Sequence, residues 1–561
     1  MLMQTETLSL ENGELLEFWA RGRNLTPHPF RITIDGQTVY SIASLARWFD
    51  HFSYRHREAA TVTVAWDPEE IEISFAYSYR RETVLRDGIT LWQFHADRIE
   101  RHAGAEIDAL LRSDPTRPQC HFSPVVNWMN DPNGLCRIGD DWHLFYQLHP
   151  TNTEWGPMHW GHAVSKDLFS WTHLPVFLHP GQNLERLEAT GGAFSGTAFR
   201  DRDGKLRFYY TERLPAYDLF RHYREIQKIA EPSDDMVVVE GTRVVIEERP
   251  AGVEHDFRDP KVWWDAEKNA YRMVLGASID ADPAVLLYGS PCGKVWEYIG
   301  PLYRAPDRYK AEGARAVECP DFFRIGDKWV LIMGFVGHND PATGRHNLLY
   351  ALTGDFADDR FVPDDDAFQL LDFGTDFYAL QSFSAGDRQV AFAWLFNWEY
   401  RKPAGSPYSG ELSLPRELTL DNRNRLCMNP VTEYGQVWPP VRLSGNDGDY
   451  AIANAPFEIA LEGLIEGTRI VATQDGDISF EISVAQNMLS ITLPQDDGSI
   501  RYVALVREDA DLRVVHDAGI IEVFAEGGAI CGTRRNYRNI TPDRLRIDTP
   551  ATALVCERRR T

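Results

Sequence analysis

Five side chains stand at matching places in a chain that repeats itself. Asp131, Ser195, Asp259, Glu318 and Tyr378 each lie just upstream of a strand that opens a hairpin. If those hairpins are arranged radially, the five positions converge on one mouth. Three carboxylates meeting there, without clustered Cys or His, suit two chemistries. One is binding of a hard cation such as calcium. The other is a glycosidase set of nucleophile or base, general acid and transition-state stabiliser. The neighbours favour the second. Trp128, Trp155 and Tyr378 supply apolar faces, and Asn130 and Gln147 supply amides. Arg258 would hold the adjacent Asp259 ionised and donate to substrate hydroxyls, whereas a cation beside a calcium ligand would be counterproductive. Taken singly, each run also reads as local structure. Asn130-Asp131-Pro132-Asn133-Gly134 is a good turn sequence, Arg258-Asp259-Pro260 suits a surface turn, and Glu318-Cys319-Pro320 can simply precede a strand. Their equivalence within the repeat makes them a set.

The elements that position them are five hairpins at roughly sixty-residue spacing. Gly134–Ile138 turns at Gly139-Asp140 into Trp142–Tyr146, and Gly196–Phe199 turns at Asp203-Gly204 into Leu206–Tyr210. Lys261–Trp264 turns near Lys268-Asn269, Asp321–Ile325 at Gly326-Asp327, and Ala379–Phe383 near Gly386-Asp387. Radially repeated sheets of four strands make a propeller, here with five blades. The alternative is an unrelated run of hairpins, which regular spacing disfavours. The fold class is therefore all-β. A five-bladed β-propeller over 116–440 is followed by a C-terminal β-sandwich over 449–561 and preceded by an N-terminal β-rich domain over 1–112. In that first part, Phe30–Ile34 returns through Thr38–Tyr40 after Asp35-Gly36, and Thr61–Val64 and Ile71–Phe75 flank Asp67-Pro68 as a second hairpin. Glu106–Arg112 is helix-like. Arg558–Arg560 reads as a solvated tail.

Composition narrows the partners. The 561 residues carry a net charge of −25, which argues against nucleic acid and anionic membranes. No stretch of about 18 apolar residues occurs and no secretory signal is visible, so a cytoplasmic protein is expected. The seven cysteines form no C-x-x-C pair, so neither a disulfide framework nor a metal site is expected, and no cofactor is called for. A neutral sugar fits the charge balance, and the balance leaves a homo-oligomer open.

His121-Phe122-Ser123-Pro124, followed by Asn127-Trp128-Met129-Asn130-Asp131-Pro132-Asn133-Gly134, resembles the signature of glycoside hydrolase family 32, the invertases, inulinases, levanases and related fructosyltransferases. Trp155-Gly156, His159-Trp160-Gly161-His162-Ala163, Phe194-Ser195-Gly196-Thr197, Phe257-Arg258-Asp259-Pro260, Glu318-Cys319-Pro320-Asp321, Asp376-Phe377-Tyr378-Ala379 and Leu412–Arg416 follow in collinear order. The resemblance covers 120 to about 420. It implies a five-bladed propeller and a retaining reaction on terminal β-D-fructofuranosyl units of sucrose, inulin or levan. It implies Asp131 as nucleophile, Glu318 as acid/base and Asp259 as stabiliser, with Asn130, Gln147, Trp155, Phe194, Ser195 and Arg258 as the fructose-binding shell. Trp128, Tyr378, Trp398 and Glu399 are further candidates. Backbone N–H groups of the turn around Asp131 would keep that carboxylate ionised. The acid must hold its proton, which repulsion from Asp131 and Asp259 would favour. Transfer to a sugar hydroxyl instead of water uses the same residues, so a fructosyltransferase remains an alternative. A non-catalytic fructan-binding propeller has no need of three carboxylates. The stretches 212–235 and 299–316 are loop candidates near the site.

Overall fold

Tight polar turns decide the architecture. In the computed structural model of the chain, which describes residues 3–24, 27–218, 221–253, 256–453, 456–498 and 501–560, strands dominate and the helices are short. The five expected hairpins form. Asn127–Ile138 pairs with Asp141–His149, Gly191–Arg200 with Leu206–Asp218, and Arg258–Asp265 with Ala270–Ile279. Ala316–Ile325 pairs with Lys328–Val336, and Tyr378–Ala385 with Arg388–Trp394. Each hairpin extends outward by two more antiparallel strands. The five leading strands pack on one another in sequence. Asn127–Ile138 lies against Gly191–Arg200, which lies against Arg258–Asp265, then Ala316–Ile325, then Tyr378–Ala385, and the last returns to Asn127–Ile138. The ring is tied near its start by a short parallel pairing of Asn127 and Trp128 with Tyr408 and Ser409.

Before the ring, two sheets form from nine strands between Gln4 and His102. The hairpin of Phe30–Ile34 with Gln37–Ile42 is present. The second expected hairpin is not. Ala60–Trp66 pairs with Gln4–Leu10 and Phe30–Ile34, whereas Ile71–Tyr79 pairs with Leu15–Gly22 and Thr90–Phe94. Asp67 accepts from the N–H of Glu70 and of Ile71, and this turn carries the chain from one sheet to the other. The helix falls at Gly104–Ser113. Trp19, Phe75 and Tyr77 share an apolar cluster with Trp128, Leu144 and Met158 of the ring, so this part is packed onto the first hairpin.

After the ring, two six-stranded sheets enclose Phe457, Ile459, Ile470, Phe480, Ile482 and Val514. The terminal arginines are not a solvated tail. Arg558 ends the strand Thr552–Arg558, is buried, and donates to Glu458 at 2.6 Å, while Arg560 reaches Asp108 at 3.0 Å. No helix among the described residues is long and apolar enough to cross a membrane.

A charged knot joins the ring to these last sheets. Asp517 accepts from the N–H groups of Gln119 (2.8 Å) and Cys120 (2.8 Å), and His121 Nδ1 lies 2.8 Å from it. Burial alone would lower the His121 imidazole, but its bond to Asp517 and the Glu522 carboxylate 3.8 Å from Nε2 outweigh that and push it up to about 9. Burial opposes ionisation of Asp517 too, yet His121 and the backbone donors push it down to about 2. The His121 contribution is therefore complete below its ordinary 6.5 and is lost as pH rises through about 9. The Asp517 contribution is complete above its ordinary 3.8 and is lost as pH falls through about 2. Removing one partner strands a buried charge, at about 3–5 kcal/mol. Asp517→Asn should thus lower the melting temperature most between pH 3.8 and 6.5. A loss of equal size at every pH would contradict the pairing.

Candidate active site

All five leading strands carry a register shift at the equivalent place. The breaks fall between Met129 and Pro132, Ala193 and Gly196, Arg258 and Lys261, Glu318 and Asp321, and Tyr378 and Gln381. A bulge bends its strand and re-aims a side chain, and it tolerates proline, whose missing N–H would break a regular ladder. Pro260 and Pro320 sit in two of these breaks, and Pro132 closes a third. The expectation that the key residues lie upstream of the strands is therefore corrected. They lie within the strands, at the bulges, where the side chains turn to one end of the ring. Asp259 and Cys319 adopt positive φ of 65° and 49° there.

Asp131 is held by side chains rather than by turn N–H groups, which corrects the second expectation. Ser195 Oγ donates to its Oδ2 at 2.5 Å, Asn130 Nδ2 to its Oδ1 at 3.1 Å, and Cys319 Sγ lies 3.6 Å from Oδ2. Burial raises this carboxyl above its ordinary range, and the charge of Glu318 adds to the rise, against the bonds from Ser195 and Asn130.

The other two carboxylates meet at Arg258. Its guanidinium is buried and contacts Asp256 at 2.5 Å, Glu318 at 3.0 Å, Glu225 at 3.2 Å and Asp259 at 3.8 Å. Asp259 also accepts from the N–H of Cys319 at 2.8 Å. Arg258 does not keep Asp259 in the ordinary carboxylate range. Burial, only partly offset by Arg258 and reinforced by Glu318 and Asp131, pushes it up to about 7. Tyr378 is less a wall than a donor, its Oη giving a hydrogen bond to Glu318 Oε2 at 2.8 Å. Gly334 lets it pass, because a Cβ there would stand 2.5 Å from that hydroxyl.

The neighbouring hairpin holds the Phe257–Asp259 backbone. Phe257 N–H donates to Glu225 at 2.6 Å, Phe257 C=O accepts from Gln227 at 2.8 Å, and Asp259 N–H donates to Thr211 at 3.0 Å. These residues belong to Leu206–Asp218 and Arg221–Pro232. The stretch 212–235 is thus largely a long hairpin rather than a loop, and Leu219 and Phe220 lie outside the described residues.

The cavity over the carboxylates holds about 400 Å³. Asn130, Asp131, Gln147, Trp155, Phe194, Ser195, Arg258, Asp259, Glu318, Tyr378 and Trp398 line it. Trp128 does not. It is fully buried behind the site, and its indole donates to Asn130 Oδ1 at 2.8 Å. Glu399 lies outside it, 3.5 Å from Arg501 and from Tyr502. Trp398 is 44% exposed at the rim. Sequence reasoning missed Arg213 and Tyr223, stacked 3.5 Å apart, and also Asp256, Arg315 and Trp394. A larger cavity, about 680 Å³, opens at the opposite ends of the leading strands and contains none of the three carboxylates.

Such a site can set one ionised carboxylate against a bond while a second group delivers a proton, with aromatic walls for an uncharged ring. Cys120, His121 and Asp517 are grouped closely enough to hold a metal ion, but a protonated His121 offers its nitrogens as donors, not as ligands.

Comparison with known proteins follows the same span. The profile of the Glycosyl hydrolases family 32 N-terminal domain matches residues 121–430. A sucrose-6-phosphate hydrolase of Zymomonas mobilis is 38% identical over 335 residues, covering 58% of this chain and 63% of that protein. A levanase of Bacillus subtilis is 34% identical over 390 residues, covering 63% of this chain and 54% of its own length. The match thus spans less than two thirds of either relative. The solved structure of a family 32 glycoside hydrolase from Bifidobacterium adolescentis aligns over 99% of both chains, with a TM-score of 0.86 and 25% identity. Its coverage includes the two sheets before the ring.

The raised Asp259 carboxyl has a stability consequence. A carboxyl raised from 3.8 to about 7 contributes stability that is complete below 3.8 and lost as pH rises through about 7;. Asp259→Asn should therefore raise the melting temperature at pH 8 and leave it unchanged near pH 3.5. A lower melting temperature at pH 8 would contradict this charge balance.

Proposed function

The chain belongs to glycosyl hydrolase family 32, and from that membership we propose that it is a retaining glycosidase that removes terminal β-D-fructofuranosyl units from sucrose or fructans. The observation that carries the reading is the convergence of Asp131, Asp259 and Glu318 on one cavity, linked through Cys319 and Arg258. Relatives named sucrose-6-phosphate hydrolase and levanase support the substrate class. Five bulged leading strands closing a ring support a five-bladed propeller over 116–440. The paired six-stranded sheets support a C-terminal sandwich over 449–561, and the two sheets of 1–112 are an accessory domain.

Asp131 attacks the anomeric carbon, C2 of the fructosyl unit, and the Ser195 and Asn130 donors keep its lone pairs aimed. Glu318 gives its proton to the departing glycosidic oxygen and later takes one from the incoming water. Asp259 accepts from ring hydroxyls and opposes the positive charge of the oxocarbenium-like transition state. Asp131 and Asp259 influence each other's ionisation;. Burial raises Asp131 and pushes Asp259 up to about 7, so these two carboxyls hold a proton under mildly acidic conditions. Both act ionised in the roles above, so kcat/KM should fall as pH drops below about 7.

Asp131→Asn and Glu318→Gln should each cut turnover by roughly a thousandfold or more, about 4 kcal/mol of barrier, with the fold intact. Product chromatography after incubation with sucrose, inulin and levan reads the outcome. Free fructose identifies a hydrolase, and longer fructose-containing products identify transfer. Full activity in either variant would refute these roles.

A further inference from the structure

The geometry points to a second sugar-binding stretch, a groove built jointly by the N-terminal sheets and the ring, that receives the leaving-group side of an oligosaccharide. The inference rests on the reaction proposed above and extends it from the reacting unit to the chain attached to it.

Trp155 is shared. It lines the catalytic cavity and also a neighbouring groove of about 390 Å³. The far wall of that groove comes from the N-terminal part, as Arg21, Arg47 and Trp48. The groove continues past His149 and Glu185 into a further cavity of about 290 Å³, bounded by Trp19, His51, His159 and His179. An unbroken series of lining residues therefore leads away from the carboxylates. Trp155 and Trp48 are both half-buried and so present ring surface to the groove.

The groove is rigid where it matters. Gly156 lies flat on His149, since a Cβ there would come within 2.4 Å of the imidazole, and this fixes the Trp155 backbone. Across the gap, the Arg21 guanidinium covers Phe49 at 4.6 Å and is paired with Glu72 at 2.9 Å, which anchors the segment bearing Trp48. Asp50 receives Arg186 at 2.8 Å and Asn183 at 2.6 Å. Arg47 reaches Glu188 at 2.5 Å. These contacts clamp the N-terminal wall to the ring.

The lining chemistry selects the occupant. The charged groups that line the groove already have partners: Arg21 with Glu72 beside the groove, Arg47 with Glu188, and Glu185 with the hydroxyl of Thr151. An ionic ligand would have to compete with those partners. A neutral, hydroxyl-rich chain would not, and it can lay its C–H faces on indole rings while bonding to the paired polar groups at the edges. Trp155, which lines both the catalytic cavity and the groove, joins the two.

The test compares kcat/KM on sucrose and on an inulin-type oligosaccharide of four or more units, for wild type, Trp48→Ala and Trp48→Phe, with melting temperature as a folding control. Trp48→Ala should lower kcat/KM on the oligosaccharide by roughly fivefold or more through a higher KM, leave sucrose within about twofold, and Trp48→Phe should restore most of the loss. Equal effects on both substrates, or none on either, would overturn the groove. So would wild type that cleaves sucrose but not the oligosaccharide. Wild type that releases fructose from neither substrate would instead defeat the proposed reaction.

Discussion

Four carboxylates around one buried guanidinium is the constraint on which the rest of the site depends. Asp131, Asp259 and Glu318 repel one another, and burial raises that cost because few water dipoles remain to screen it. Arg258 offsets part of it by touching Asp256, Glu225, Glu318 and Asp259 together. Asp256 and Glu225 in turn keep the guanidinium from collapsing onto a single partner. Burial first, with the residual repulsion added to it, leaves raised carboxyls at Asp131 and Asp259. The proposed chemistry needs these two carboxylates ionised, and the donors Ser195, Cys319 N–H and Arg258 favour that form.

The architecture supplies the convergence. A regular strand alternates its side chains and cannot send consecutive residues to one end. The five bulges break that alternation at the same level of each leading strand. Neighbouring hairpins then fix what the bulges release, as Thr211, Glu225 and Gln227 do for Phe257–Asp259. The proposed sugar groove depends on the same principle at longer range, with Arg21, Asp50 and Arg186 holding the N-terminal wall against the ring.

Much of this was legible in the sequence because it is written locally. Turns at Gly139-Asp140 or Gly326-Asp327 are short-range chemistry, and their spacing gave the five hairpins. The carboxylates were legible as a set because each occupies the same place in a repeat. What was not legible depends on partners distant in the chain. Ala60–Trp66 and Ile71–Tyr79 alternate like a hairpin, and only the sheets they join separate them. Arg558 resembles a tail until Glu458 is beside it. Arg213 and Tyr223 lack any motif, and their role at the cavity follows from a hairpin long enough to overhang it. Trp128 sits within the strongest motif yet acts from behind, through Asn130.

The central claim is that Asp131 forms the bond to the sugar while Glu318 handles the proton. Mass spectrometry of a Glu318→Ala variant, quenched during turnover of a fructoside with a leaving group that needs no protonation, tests it most directly. Without the acid/base, the first step still proceeds and the second stalls, so the account predicts a fructosyl adduct on the peptide carrying Asp131. An adduct on a different carboxylate, or rapid release of sugar of inverted configuration with no adduct, would contradict it.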